Sequence, residues 1–191
     1  MAHPGTFVNL RVNVDQAFQK IDGFGVNINS KYFDARLMPA MNLLVDDLGA
    51  TLYRVDIWGK SNWIDPDGKL GKNAALAPEH LASVYQGDTF RRGWEMMRWL
   101  NAHGIRPYLT ASGIVPSWML ASDGKTLKNY SAFAVMMASM LEWAKKNEQL
   151  DFTLFGPLNE TDIGDPEGPT AGPAGYVRAC EALDAELTAR G

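Results

Sequence analysis

Residues 152–162 read Phe152-Thr153-Leu154-Phe155-Gly156-Pro157-Leu158-Asn159-Glu160-Thr161-Asp162. The first four residues form a β-branched and aromatic run, the pattern of a strand buried on both faces of a parallel sheet. Gly156 and Pro157 interrupt the ladder, and Leu158 leads into Asn159 and Glu160. A carboxylate at the carboxyl end of such a strand stands where α/β barrels place their chemistry. Half-buried there among apolar neighbours, Glu160 is expected to serve as a general acid near neutral pH. The alternative is a solvated loop carboxylate.

Working outward, strands and helices alternate. KIDGFGVNIN, 20–29, combines a strand with two glycines spaced for close backbone approach. Asn27 and Asn29 fall on one side near its end, as amides for a polar ligand or as caps of the next helix. Apolar residues at helical spacing over 37–48 stop at Gly49, a C-cap position. TLYRVDIW, 51–58, is a second strand, and Arg54 is a charge inside it that needs a partner. Any carboxylate of the sheet, Asp56 included, would supply one.

Residues 59–87 are rich in Gly, Asn, Asp and Pro and too long for a mere connector, as loops that shape sites often are. A helix follows from Asp88 to His103, capped by Asp88 or Thr89 and closed by Gly104. Its stripe of Trp94, Met97 and Leu100 reads as core packing. IRPYLTASG, 105–113, is the third strand. Residues 131–147 form a helix capped by Ser131 or Asn129, with Lys145 and Lys146 in the last turn, where the helix dipole favours cations. After the fourth strand, a loop over 161–173 leads to a last helix opened by Pro173 and ending at Arg190.

At the N-terminus, residues 6–14 alternate apolar and polar side chains, as a half-exposed antiparallel strand does. The chain therefore divides into an N-terminal strand segment, 1–20, and an α/β unit, 21–191.

The chain has 191 residues, 46% of them hydrophobic, enough for one good core. A net charge of −4 with no Lys or Arg run argues against nucleic acid or an anionic membrane surface as partner. A neutral ligand fits better. The lone Cys180 excludes an internal disulfide, and MAHPGTFVNL lacks the pattern of an export signal. No cofactor or metal is expected: His3, His80 and His103 are scattered, and Asp162, Asp165 and Glu167 read as a solvated loop.

Four segments stand in an order and spacing that resembles the clan A glycoside hydrolases, family 30 above all: Ile21-Asp22-Gly23-Phe24-Gly25, Arg54-Val55-Asp56-Ile57, Pro116-Ser117-Trp118-Met119 and Leu158-Asn159-Glu160-Thr161. The resemblance covers about residues 7–190. It implies a (β/α)8 TIM-barrel type fold of which the first four βα units are present, preceded by one β-sandwich-type strand. A complete barrel needs about 250 residues, so the sequence reads as half a barrel. The resemblance further implies a retaining β-glycosidase without cofactor or metal, with a carbohydrate substrate. Glu160 would be the acid/base, Asn159 would bond the sugar 2-hydroxyl, and Arg54 would support a nucleophile that ends strand seven, outside this chain.

Trp118 stacks on a sugar ring in this reading, or is a buried structural Trp. Gly113 stands where the family tends to have a binding Trp, Ser61 where it has an Asp, and Thr161 where Pro is commoner. Trp58 or Trp63 would then supply the aromatic surface. The second function considered is a non-catalytic half barrel that binds carbohydrate or assembles with itself. Its unpaired strand edges would be covered by a second copy, giving a homodimer, or by a C-terminal half barrel.

Overall fold

The computed structural model describes residues 8–59 and 63–191. Thr6 and Phe7 of the expected N-terminal strand, and Ser61, lie outside the described residues.

The chain is a mixed α/β structure built on one four-stranded parallel sheet in the order β1 (Gly25–Asn29), β2 (Leu52–Trp58), β3 (Tyr108–Ser112), β4 (Leu154–Gly156). Parallel neighbours need long crossovers. These carry α1 (Met38–Asn42) between β1 and β2; α2 (Lys72–Ala75), α3 (Pro78–Tyr85) and α4 (Asp88–Ala102) between β2 and β3; and α5 (Tyr130–Lys146) between β3 and β4. The last helix, α6 (Pro173–Arg190), follows β4 and packs on α5. Sheet and helices together are consistent with part of an α/β barrel.

Strand side chains alternate between the two faces. Tyr53, Val55, Ile57, Leu109 and Ala111 are buried in the core. Helix α4 lies against β2 so closely that a Cβ on Gly93 would stand 2.2 Å from Ile57 Cδ1. Behind it, Tyr85, Phe90, Trp94 and Trp63 form an edge-to-face and stacked cluster, and the Tyr85 hydroxyl bonds Ser139 Oγ of α5 at 2.6 Å. Arg190 ties the end of α6 to Glu142 of α5 at 2.6 Å.

The opposite face is open and ordered in rows by the register. Asn27, Arg54, Tyr108 and Leu154 form one row; Asn29, Asp56, Thr110 and Gly156 form the next. At the amino end of the strands this face is apolar, with Leu52, Tyr108 and Leu154 all exposed. Toward the carboxyl end it is polar.

Several expectations change. Residues 8–14 lie in no strand, and Val8, Leu10, Val12 and Val14 are 75–89% exposed. Alternation makes a strand only where a neighbour takes its backbone bonds, and no described strand lies beside it. The helix over 37–48 is α-helical only to Asn42 and continues as a π-helical turn, Leu43–Asp47, before Gly49 turns at φ +62°. The long segment after β2 is not all loop, since α2 and α3 fall within it. Gly87 occupies the cap of α4, and Asp88 is its first residue. Most consequentially, β4 is not buried on both faces: it is an edge strand, and Leu154 is 66% exposed.

Candidate functional site

The polar rows of the open face converge on Arg54. Its position mid-strand in β2 points the side chain onto that face, where Nη1 donates to Asn27 Oδ1 of β1 at 3.0 Å and Nη2 to Asn159 Oδ1 at 2.7 Å. Nη2 also lies 3.8 Å from Asp56 Oδ1. The charge inside the strand is therefore satisfied by two amides and a carboxylate, as its cost demands. Asp56, 5% exposed, accepts from Thr110 Oγ1 at 3.0 Å and from Ser112 Oγ of β3. Ser30, just past β1, donates its hydroxyl to the Asp56 carbonyl at 2.6 Å. Three strands and the segment after the fourth are thus stitched together around one guanidinium.

Asn159 is held at both ends of its amide. While Oδ1 accepts from Arg54, Nδ2 donates to Glu167 Oε2 at 2.8 Å. Glu167 belongs to the loop that follows β4, and that loop folds back: the Gly113 amide donates to the Glu167 carbonyl, and the Glu167 amide to the Gly164 carbonyl. Glu167 was expected in a solvated loop and instead joins the site.

Glu160 stands next to this network with its backbone at φ +40°, in the left-handed region that a residue with a Cβ enters only at a cost. Its side chain is exposed, not half-buried among apolar neighbours. Among the described residues no hydrogen bond or ion pair reaches its carboxylate. The strand before it ends at the sheet edge, so no fifth strand among the described residues covers it.

The aromatic candidates separate. Trp58 is half-buried at the carboxyl end of β2, 5.0 Å from Lys31 Nζ at the ring centroid, and lines a groove of about 510 Å³ with Pro66, Ile114, Pro116 and Pro166. Pro166 adjoins Glu167, so this groove borders the polar site. Trp63 is a core residue instead. Its indole donates to the Ile114 carbonyl at 3.0 Å, and a Cβ on Gly59 would lie 1.9 Å from its ring. Trp118 lines a separate cavity of about 270 Å³ beside the start of α5. Its indole donates to the Asp65 carbonyl at 2.8 Å, and Gly68 sits against the ring. Asn27 joins the site through Arg54, whereas Asn29 accepts from the Lys31 amide and caps the turn after β1.

Sequence reasoning brought Arg54, Asn27 and Asn159 to one place but missed Glu167, Thr110 and Ser112. The hydroxyls carried a usable signal: both occupy the same face as Asp56 in strands of matching period. Among the described residues no group of three or more His, Cys, Asp or Glu is placed to hold a metal ion, and no helix is long and apolar enough to cross a membrane.

No protein-family model matches the sequence, and no curated protein matches it. The fold does have solved counterparts. The chain is similar to the glycoside hydrolase family 30 subfamily 8 xylanase Xyn30A from Clostridium acetobutylicum, with TM-score 0.64 and 17% identity, over 92% of this chain and 42% of the xylanase. It is also similar to a conserved exported protein from Bacteroides fragilis, with TM-score 0.58 and 16% identity, over 93% of this chain and 43% of that one. The fold is therefore of the type found in a glycoside hydrolase. The chain spans less than half the length of either protein.

Proposed function

We propose that residues 21–191 are the first four βα units of a (β/α)8 barrel of a retaining O-glycoside hydrolase acting on a β-linked glycan. In this reading Glu160 is the acid/base, Asn159 contacts the sugar 2-hydroxyl, and Arg54 orients a nucleophilic carboxylate that enters from outside these four strands. Retention needs the two carboxyl groups about 5 to 5.5 Å apart on either side of the scissile bond. Glu160 first protonates the leaving oxygen while the nucleophile forms a glycosyl-enzyme, and then deprotonates the water that releases the sugar. Trp58 and the groove beside it offer the apolar face on which a neighbouring sugar unit rests.

One observation carries this reading: the Arg54 guanidinium reaches from β2 to the Asn that immediately precedes Glu160, in the segment just past the carboxyl end of β4. The fold likeness to a xylanase supports the class of chemistry. The test is hydrolysis of aryl β-glycosides (glucoside, xyloside, galactoside and fucoside) by an enzyme in which the remaining strands are present, against its Glu160→Gln variant. The reading expects turnover to collapse in the variant, and unchanged turnover ends it.

A second reading is favoured by the unpaired edges of β1 and β4 and by the exposed Leu52, Tyr108 and Leu154 between them. In it the four units form a non-catalytic domain that binds carbohydrate or pairs with a second copy, edge to edge. Sedimentation separates the cases: a dimer that binds but does not hydrolyse the glycosides supports this reading, and a monomer removes its self-assembling form.

A further inference from the structure

We propose that Glu167 is a positioning residue that fixes which end of the Asn159 amide faces a bound ligand. An asparagine side chain can turn by half a revolution and exchange its acceptor oxygen for its donor nitrogen with almost no change of shape. At Asn159 the partners leave no such choice. Arg54 carries only donors, and an ionised Glu167 only acceptors. The oxygen is therefore committed to Arg54 at 2.7 Å and the NH2 group to Glu167 at 2.8 Å.

Turning the amide over would set its NH2 against the guanidinium and its oxygen against the carboxylate, losing both charge-assisted bonds and creating two repulsive contacts. What Asn159 has left to offer is one N–H and one lone pair, in a fixed arrangement. Arg54 alone would favour the same orientation but would leave the nitrogen end free to swing. Glu167 is held for this task by the backbone: its amide donates to the Gly164 carbonyl at 2.8 Å, and its carbonyl accepts from the Gly113 amide at 3.0 Å. The carboxylate therefore belongs to a loop anchored to the segment just after β3.

This assignment rests on the proposed glycosidase reading only for its consequence, that the remaining N–H addresses a sugar hydroxyl. The orientation itself is a property of the chain. It is tested by 15N–1H spectra of the Asn159 side-chain NH2 in the wild type, Glu167→Ala and Glu167→Gln. Glu167→Ala is expected to move the Asn159 pair toward the positions of solvent-exposed amides, while backbone resonances beyond the 160–168 loop stay in place. Glu167→Gln, which still offers an acceptor oxygen, is expected to restore most of the wild-type position. An Asn159 pair that does not move in Glu167→Ala overturns the assignment. So does an equal displacement in both variants, which marks a general loosening of the loop.

Asn159→Asp supplies a second check that needs no assignment of the amide. It places a carboxylate against Glu167, and its loss of stability is expected to be largely relieved in the Asn159→Asp/Glu167→Gln double variant; equal stability of the two overturns the contact. Titration with xylotriose separates the layers. A wild-type Asn159 pair unmoved by the sugar counts against the glycosidase reading and leaves the lock standing.

Discussion

Arg54 and Asn159, 105 residues apart in the chain, share a hydrogen bond of 2.7 Å. Arg54 also holds Asn27, so one guanidinium links β1, β2 and the segment after β4. Arg54→Ala leaves the Asn159 and Asn27 oxygens without their donor while Asp56 keeps Thr110 and Ser112. The expected cost is about 1 to 3 kcal/mol, read from urea unfolding. Arg54→Lys should recover little of it, because a single ammonium on a flexible stem does not reproduce the two-pronged reach. Full recovery by Lys would mean that charge alone, not the fork, matters here.

The left-handed backbone at Glu160 holds local strain that a substitution can release. Glu160→Gly should stabilise the chain by up to about 1 kcal/mol, since glycine adopts this conformation without strain and the exposed side chain contributes no contact. Glu160→Val, β-branched, should destabilise it. Glu160→Gln keeps the backbone cost and should leave the melting temperature unchanged. A Gly variant less stable than the wild type would refute a net cost of this backbone conformation.

Burial pushes the Tyr85 hydroxyl well above its ordinary value of 10.0, against the opposing bond from Ser139. A tyrosine whose folded pKa is raised stabilises the fold fully below its unfolded pKa, and that contribution is lost as pH climbs beyond it. Stability should therefore fall above pH 10, and fall less steeply in Tyr85→Phe, with some slope left from Tyr53, which burial also shifts upward. At neutral pH Tyr85→Phe should cost about 1 kcal/mol, because Ser139 keeps its bond to the Met136 carbonyl. Denaturant midpoints of the two proteins between neutral and strongly alkaline pH decide it.

Asp123 behaves in the opposite sense. The Thr126 hydroxyl, then the Thr126 and Lys125 amides, hold its carboxyl down to about 2. The turn is therefore intact above the ordinary carboxylate range and loosens as pH falls toward about 2. Amide exchange at Lys125 and Thr126, corrected for intrinsic rates, should speed up over that interval in the wild type. In Asp123→Ala it should be fast throughout; an equal protection profile in both would refute the turn's dependence on this side chain.

The strands and long helices were legible because their signals are local. The apolar runs of β2 and β3, the stripe of α4 and the Asn129 cap of α5, which accepts from the Ala132 amide at 3.1 Å, all follow from nearest neighbours in the chain. Gly25 was legible too: a Cβ there would lie 1.9 Å from the Leu52 carbonyl oxygen. Environment was not. The run 152–155 looks the same whether its strand is central or at an edge, and only the sheet order reveals the edge. Trp63, Trp118 and Trp58 are one residue type with three surroundings, set by Gly59, Gly68 and the proline-lined groove. Glu167 was missed because the return of its loop to Gly113 is a tertiary contact. Its only local hint is the bend-forming Gly164, Pro166 and Gly168 around it.

The span of chain closed by the Arg54–Asn159 bond also has a kinetic meaning. Contacts between residues far apart in sequence repay their loop-closure entropy only after the intervening structure has formed. The β1–β2 pairing and the α5–α6 packing can each assemble from neighbouring segments, whereas the guanidinium meets its amide only once β3, α5 and β4 are all in place. The site is thus expected to be completed late in folding, and a ligand that senses Arg54 and Asn159 together would count only fully assembled molecules.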